Sequence, residues 1–99
     1  MNKYTELSDF EINKKVAERL FLKFTDSWSV ILVDGESFDP CNNPADAMPI
    51  IIENKIAAVP QLNGDLWICS RHPFYVTTNN LYRAAMELFL LMKDAENEG

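Results

Sequence analysis

Ninety-nine residues, 47% hydrophobic and 24% charged, fit one ordinary domain spanning residues 1–99 and exclude a disordered or low-complexity chain. A formal net charge of -6, with nine Lys plus Arg against fifteen Asp plus Glu, sets the field of the whole molecule against a phosphate backbone and excludes general nucleic-acid binding. Two cysteines are too few for a disulfide scaffold, and the longest apolar stretch, Leu88 to Met92, is far short of a membrane span, so a reducing cytosol is the expected compartment.

The first helix is expected to begin at Ser8. Its hydroxyl can accept from the amide of Glu11 while Glu11 reaches back, and Leu7 can pack against Ile12. Ile12, Val16, Leu20 and Phe24, flanked by Ala17 and Phe21, recur at helical spacing with Lys14, Lys15 and Glu18 outward. Trp28 to Val33 is rich in aromatic and β-branched residues and runs into the turn dipeptide Asp34-Gly35, which predicts a strand. A second helix follows from Asn43 as cap and Pro44 at the first helical position, with Pro49 predicting a kink or irregular turn before Ile50.

Asn63-Gly64 suits a two-residue hairpin turn between Ile56 to Leu62 and Asp65 to Ser70. That register sets Val59 opposite Ile68 and Pro60 opposite Trp67, with Pro60 on an edge or facing solvent because it has no amide to donate. Phe74 to Thr78 can add another strand. Asn79-Asn80 then caps a final helix from Leu81 to about Asp94, polar only along Arg83, Glu87 and Asp94, followed by an acidic tail expected to fray. So wide an apolar surface is either the central core helix or partly a homodimer interface. The order helix, strand, helix, hairpin, further strand, helix is an α+β fold: a small, mostly antiparallel sheet packed by about three helices.

No motif in the chain specifies a reaction. His72, the one histidine, sits in Arg71-His72-Pro73 and reads either as a turn residue or as a general base. With one histidine, two separated cysteines and no Gly-x-Ser-x-Gly, neither a hydrolase triad nor a His-rich metal site can be assembled, and a Cys41 or Cys69 nucleophile paired with His72 is disfavoured because Cys41 falls in a polar loop and Cys69 in a strand. A small hydrolase using His72 is therefore the weakest function class. Asn42, Asn43 and Asp46 at the start of the second helix can present amides to an anionic or nucleotide ligand, with Arg71 and Arg83 as cations and Trp67 as a stacking surface. Capping alone also explains Asn43, and cross-strand packing also explains Trp67. Between Phe24 and Asn54 the chain carries six acids and no base, and Asp34, Glu36 and Asp39 form an acidic loop. That loop lacks the pattern of a calcium site and reads as a solvated turn or as a face for a basic partner.

The stretch from Asn2 to Glu18, built around Leu7-Ser8-Asp9-Phe10-Glu11-Ile12, resembles the opening of the NinX-like phage proteins. So does Phe38-Asp39-Pro40-Cys41-Asn42-Asn43-Pro44-Ala45-Asp46-Ala47, continuing from Pro49 to Ile56, and so does Arg83-Ala84-Ala85-Met86 followed by Phe89-Leu90. Ala47-Met48-Pro49 stands where the family pattern has Ala-Trp-Pro, and Leu81-Tyr82 where Pro-Leu precedes the arginine. The resemblance implies a small accessory protein of temperate phages or prophages, of the phage α/β/α sandwich type, made in the bacterial cytosol and carrying no known catalytic activity or cofactor. Such a protein is expected to work by occupancy, in counter-defence for example. One version sequesters a small nucleotide-like signal through the Asn42 to Asp46 loop, Trp67 and an arginine. The other covers a basic surface of a host protein, or mimics DNA, with the acidic segment.

Overall fold

The computed structural model describes residues 2–62 and 64–98. Its first helix, α1 (Asp9–Arg19), opens as expected: the Glu11 amide donates to the Ser8 hydroxyl and the Ser8 amide to the Glu11 carboxylate, each at 3.1 Å. Ile12, Val16 and Ala17 form its buried stripe. The stripe ends sooner than periodicity predicted. Leu20 is the C-cap, and Phe21 takes φ 58 with its ring 92% exposed, so the chain leaves the helical path before Phe24.

Phe24 instead begins a three-stranded antiparallel meander of β1 (Phe24–Ser27), β2 (Val30–Val33) and β3 (Glu36–Ser37). The expected single strand from Trp28 is corrected accordingly: Trp28 and Ser29 form the turn between β1 and β2, and Trp28 is 97% exposed. The Asp34-Gly35 turn appears where it was predicted, with both residues at positive φ (53 and 80) as a type I′ turn requires. Only Ile31 of this sheet is deeply buried, and β2 rests on α1.

The next helix, α2 (Pro44–Glu53), starts with Asn43 accepting from the Ala45 amide and Pro44 in its first turn. Contrary to expectation, it runs unbroken through Pro49. The amide that Pro49 lacks would have bonded the carbonyl of Ala45, an exposed residue whose carbonyl water can reach.

A second antiparallel meander contains β4 (Ala57–Pro60), β5 (Trp67–Arg71) and β6 (Phe74–Thr78), in that order across the sheet. Val59 faces Ile68 and Pro60 faces Trp67, the predicted register. The Gln61 amide donates to the Leu66 carbonyl at 2.9 Å, one step beyond the last paired residues of the ladder. Asn63, on which the predicted turn type rested, lies outside the described residues. Counting back from Gln61, alternation turns the missing amide of Pro60 toward the free edge, where it breaks no ladder bond.

The last helix, α3 (Leu81–Glu98), extends through the segment expected to fray. Ala84 to Leu90 are all buried, because α1 and α2 pack on one part of α3 while β5 and β6 pack on another. Of the two readings of its apolar surface, the structure selects the central core helix. The molecule is an α+β fold in which helices lie between two small antiparallel sheets.

Candidate functional site

The sequence segments that carry chemistry meet at the N-terminal ends of α1 and α3. Arg83, one turn into α3, donates through Nε to Glu87 at 2.6 Å, through Nη1 to Asp9 at 2.7 Å, and through Nη2 to the carbonyls of Leu7 (2.7 Å) and Tyr4 (3.0 Å). Burial opposes its charge, but the bonds to Glu87 and Asp9 outweigh that and raise the guanidinium pKa above its ordinary value. Glu87, itself buried, takes a further bond from Asn2 at 2.5 Å. Asp9 is pushed up by burial, yet the donors of Asn42 and Arg83 and the Arg83 charge hold its carboxyl below the usual range.

From Asp9 the network continues sideways. The Asn42 amide donates to Asp9 at 3.0 Å and to Asp39 at 3.2 Å, and buried Asn13 donates to Asp39 at 2.8 Å while accepting from the Cys41 amide. Asn80 joins the second half of the chain to the first. Its carboxamide oxygen caps α3 by accepting from Tyr82 and Arg83, and its nitrogen donates to the Cys41 carbonyl at 3.0 Å. Further along α3, buried Asp94 accepts from the Tyr4 hydroxyl and pairs with Arg19 and Lys3. Burial raises its pKa, but these partners lower it more.

Above this network, a cleft of about 440 Å³ opens between the start of α1 and the first meander. Phe10, Ile31 and Phe38 supply its apolar lining; Asp9, Asn13, Asp39 and Asn42 supply the polar part, joined by Ser8, Ser29 and Ser37. Both charged lining groups are acidic. Trp28 stands next to Ser29 at the tip of the β1–β2 hairpin. Its φ of 59 lies in the left-handed region, where a glycine sits without strain and a bulky residue does not.

The residues singled out in the sequence are only partly brought together. Asn42 and Arg83 join through Asp9, while Asn43 and Asp46 close the α2 cap and Asp46 accepts from the Asp39 amide at 2.9 Å. Trp67 is half-buried opposite Thr78, near the Asn80 junction; Arg71 stands exposed at the other end of β5, about 13 Å away at ~3.3 Å per residue. Asp34 and Glu36 are exposed on the first meander, whereas Asp39 is turned inward to Asn13 and Asn42. His72 is exposed on the β5–β6 turn. Both thiols are buried, and burial pushes Cys69 up to about 11 and Cys41 still further.

Reading the sequence missed Asp9, Asn13, Asn80 and Glu87 as members of one network. Two signals were present: Asn13 interrupts the buried stripe of α1, and Glu87, four residues after Arg83, is the one charged residue in the apolar run Ala84 to Met92. Among the described residues, no group of three or more His, Cys, Asp or Glu side chains is placed to hold a metal ion, and no helix is long and apolar enough to cross a membrane.

Fold and network together define a small α+β domain whose charged centre ties its N-terminal segment to α1 and α3, with an acid-lined cleft at the surface. The family model described as Bacteriophage P22, NinX matches residues 3–93, and the chain belongs to that phage protein family. No curated protein and no solved structure matches it.

Proposed function

We propose that this is a non-enzymatic phage accessory protein that acts in the bacterial host by binding, and that its cleft receives a basic side chain from the surface of a host protein. The observation that carries this reading is the cleft's charge: its charged lining groups are Asp39, bonded by the neutral carboxamides of Asn13 and Asn42, and Asp9, already paired with Arg83, in a chain of net charge -6. Arg83, the nearby cation, already spends four donations on its own chain, which disfavours a phosphate-bearing ligand there. Trp28, exposed beside the cleft in a backbone conformation that does not suit it, has the chemistry of an interface anchor and of a platform for a guanidinium.

Retention of host proteins on the immobilised chain, followed as salt is raised, tests the reading. Trp28→Ala and Ser37→Lys lie at exposed positions and are expected to leave stability within about 0.5 kcal/mol. Each should release a host protein that the unaltered chain retains at low salt, and raising the salt should release it too. Retention indifferent to both substitutions would overturn the reading. So would saturable nucleotide binding in calorimetry that both variants preserve.

A further inference from the structure

The second sheet ends on an open strand. In the order β4-β5-β6, β6 lies at one edge, and a groove of about 460 Å³ runs beside it, lined besides the strand by Asn2, Thr5, Glu87 and Leu91. The two-residue connection His72-Pro73 makes Arg71 and Phe74 the first hydrogen-bonded pair of the β5–β6 ladder. Alternation then directs the backbone groups of Phe74, Val76 and Thr78 toward β5 and those of Tyr75 and Thr77 outward. Tyr75 is 71% exposed and Thr77 is also exposed.

An edge of this kind usually carries a lysine, a proline or a bulge that discourages pairing. On β4, the opposite edge, Pro60 faces out. Phe74 to Thr78 contain no charge and no proline, and their ladder to β5 is regular.

We infer that β6 is the site at which two copies of this chain pair, antiparallel across a two-fold axis through Val76, forming one continuous six-stranded sheet. Two observations select a second copy as the occupant. The strand complements itself: this register sets Tyr75 opposite the partner's Thr77 and Phe74 opposite the partner's Thr78, and it engages both outward-facing residues of each copy. The strand itself also carries no charge, so the like net charges of -6 on the two copies are not set against each other within the strand pair. The interface shares no lining residue with the acid-lined cleft, so the inference stands apart from the proposed function.

Sedimentation velocity over a range of concentrations, with far-UV circular dichroism to verify folding, tests the pairing and its register. The unaltered chain is expected to show a reversible dimer. Tyr75→Lys with Thr77→Lys places like charges opposite each other on both sides of the axis and should weaken the dimer about tenfold or more. Tyr75→Lys with Thr77→Glu places opposite charges there and should restore it to within about threefold of the unaltered chain. A chain that stays monomeric, a double-lysine variant that dimerises undiminished, or a folded lysine–glutamate variant that does not dimerise would each overturn the inference. If the chain is monomeric and the same substitutions abolish capture of a host polypeptide, the edge serves strand addition by a foreign peptide instead.

Discussion

Replacing Arg83 by alanine should be the most damaging single change at a polar position of this molecule. The side chain is 12% exposed and its partner Glu87 3% exposed, so removing the guanidinium leaves a buried carboxylate with only the Asn2 amide, takes the Arg83 donor from the Leu7 carbonyl, and leaves the Tyr4 carbonyl with the Leu7 amide. Breaking a buried pair from one side costs about 3–5 kcal/mol. Small domains have a total stability of roughly 5–15 kcal/mol, so this is a large share, equivalent to a fall of roughly 12–40 °C in Tm at ~4–8 °C per kcal/mol. Urea unfolding followed by tryptophan fluorescence and far-UV circular dichroism measures it. Arg83→Lys should also be costly, because one ammonium cannot span the carboxylates of Asp9 and Glu87 and two carbonyls. Arg83→Met with Glu87→Leu should recover half or more of the loss, since it leaves no unpaired buried charge. An Arg83→Ala cost below about 1 kcal/mol would refute the reasoning and return Arg83 to the role of a ligand-binding cation, whose removal leaves the fold intact.

The pH dependence has a definite sign on each side. Asp94 has its pKa lowered in the folded state, so its contribution is present above its ordinary value of 3.8 and lost as pH falls through the lower folded value. Tyr4 is raised by burial and by its bond to Asp94, so its contribution is intact below 10.0 and lost as pH rises beyond it. In denaturant titrations across pH, Asp94→Asn should flatten the acid limb and Tyr4→Phe the alkaline limb; unchanged limbs would contradict the assignment. Both cysteines should resist iodoacetamide at neutral pH in the native protein and react after denaturation, because Cys69 is pushed up to about 11 and Cys41 further. Mass spectrometry showing native labelling as fast as that of the denatured chain would count against their burial.

What could be read from the sequence was local. The box of Ser8 and Glu11, the cap of Asn43 and Pro44, and the Asp34-Gly35 turn each lie within a few residues, and the structure contains all three. The register of Val59 with Ile68 was also legible, because alternation propagates from a nearby turn. The first meander was not. Phe24 falls four residues after Leu20 and so extends the helical spacing on paper, and Trp28-Ser29 lacks the Gly or Asn that marks a two-residue turn. The role of Arg83 was hidden for a different reason: it meets Asp9 across a separation of 74 residues, and no local pattern reports which distant carboxylate an arginine will find. Hence the sequence showed cations and acids as separate candidates, while the fold joins several of them into one clamp.

The dependence of α1 on α3 also bears on how the chain is made. Ile12, Val16 and Ala17 complete their cover when Ala84 and the residues after it have been synthesised, roughly 70 residues later and about 4–14 s at ~5–20 residues per second. Until then α1 and the first meander can form locally but have no core to close on. The fold is therefore committed only once α3 has been made. Truncation within α3 should leave a chain that exposes its apolar stripes, a substrate for chaperones and proteases rather than a smaller working protein.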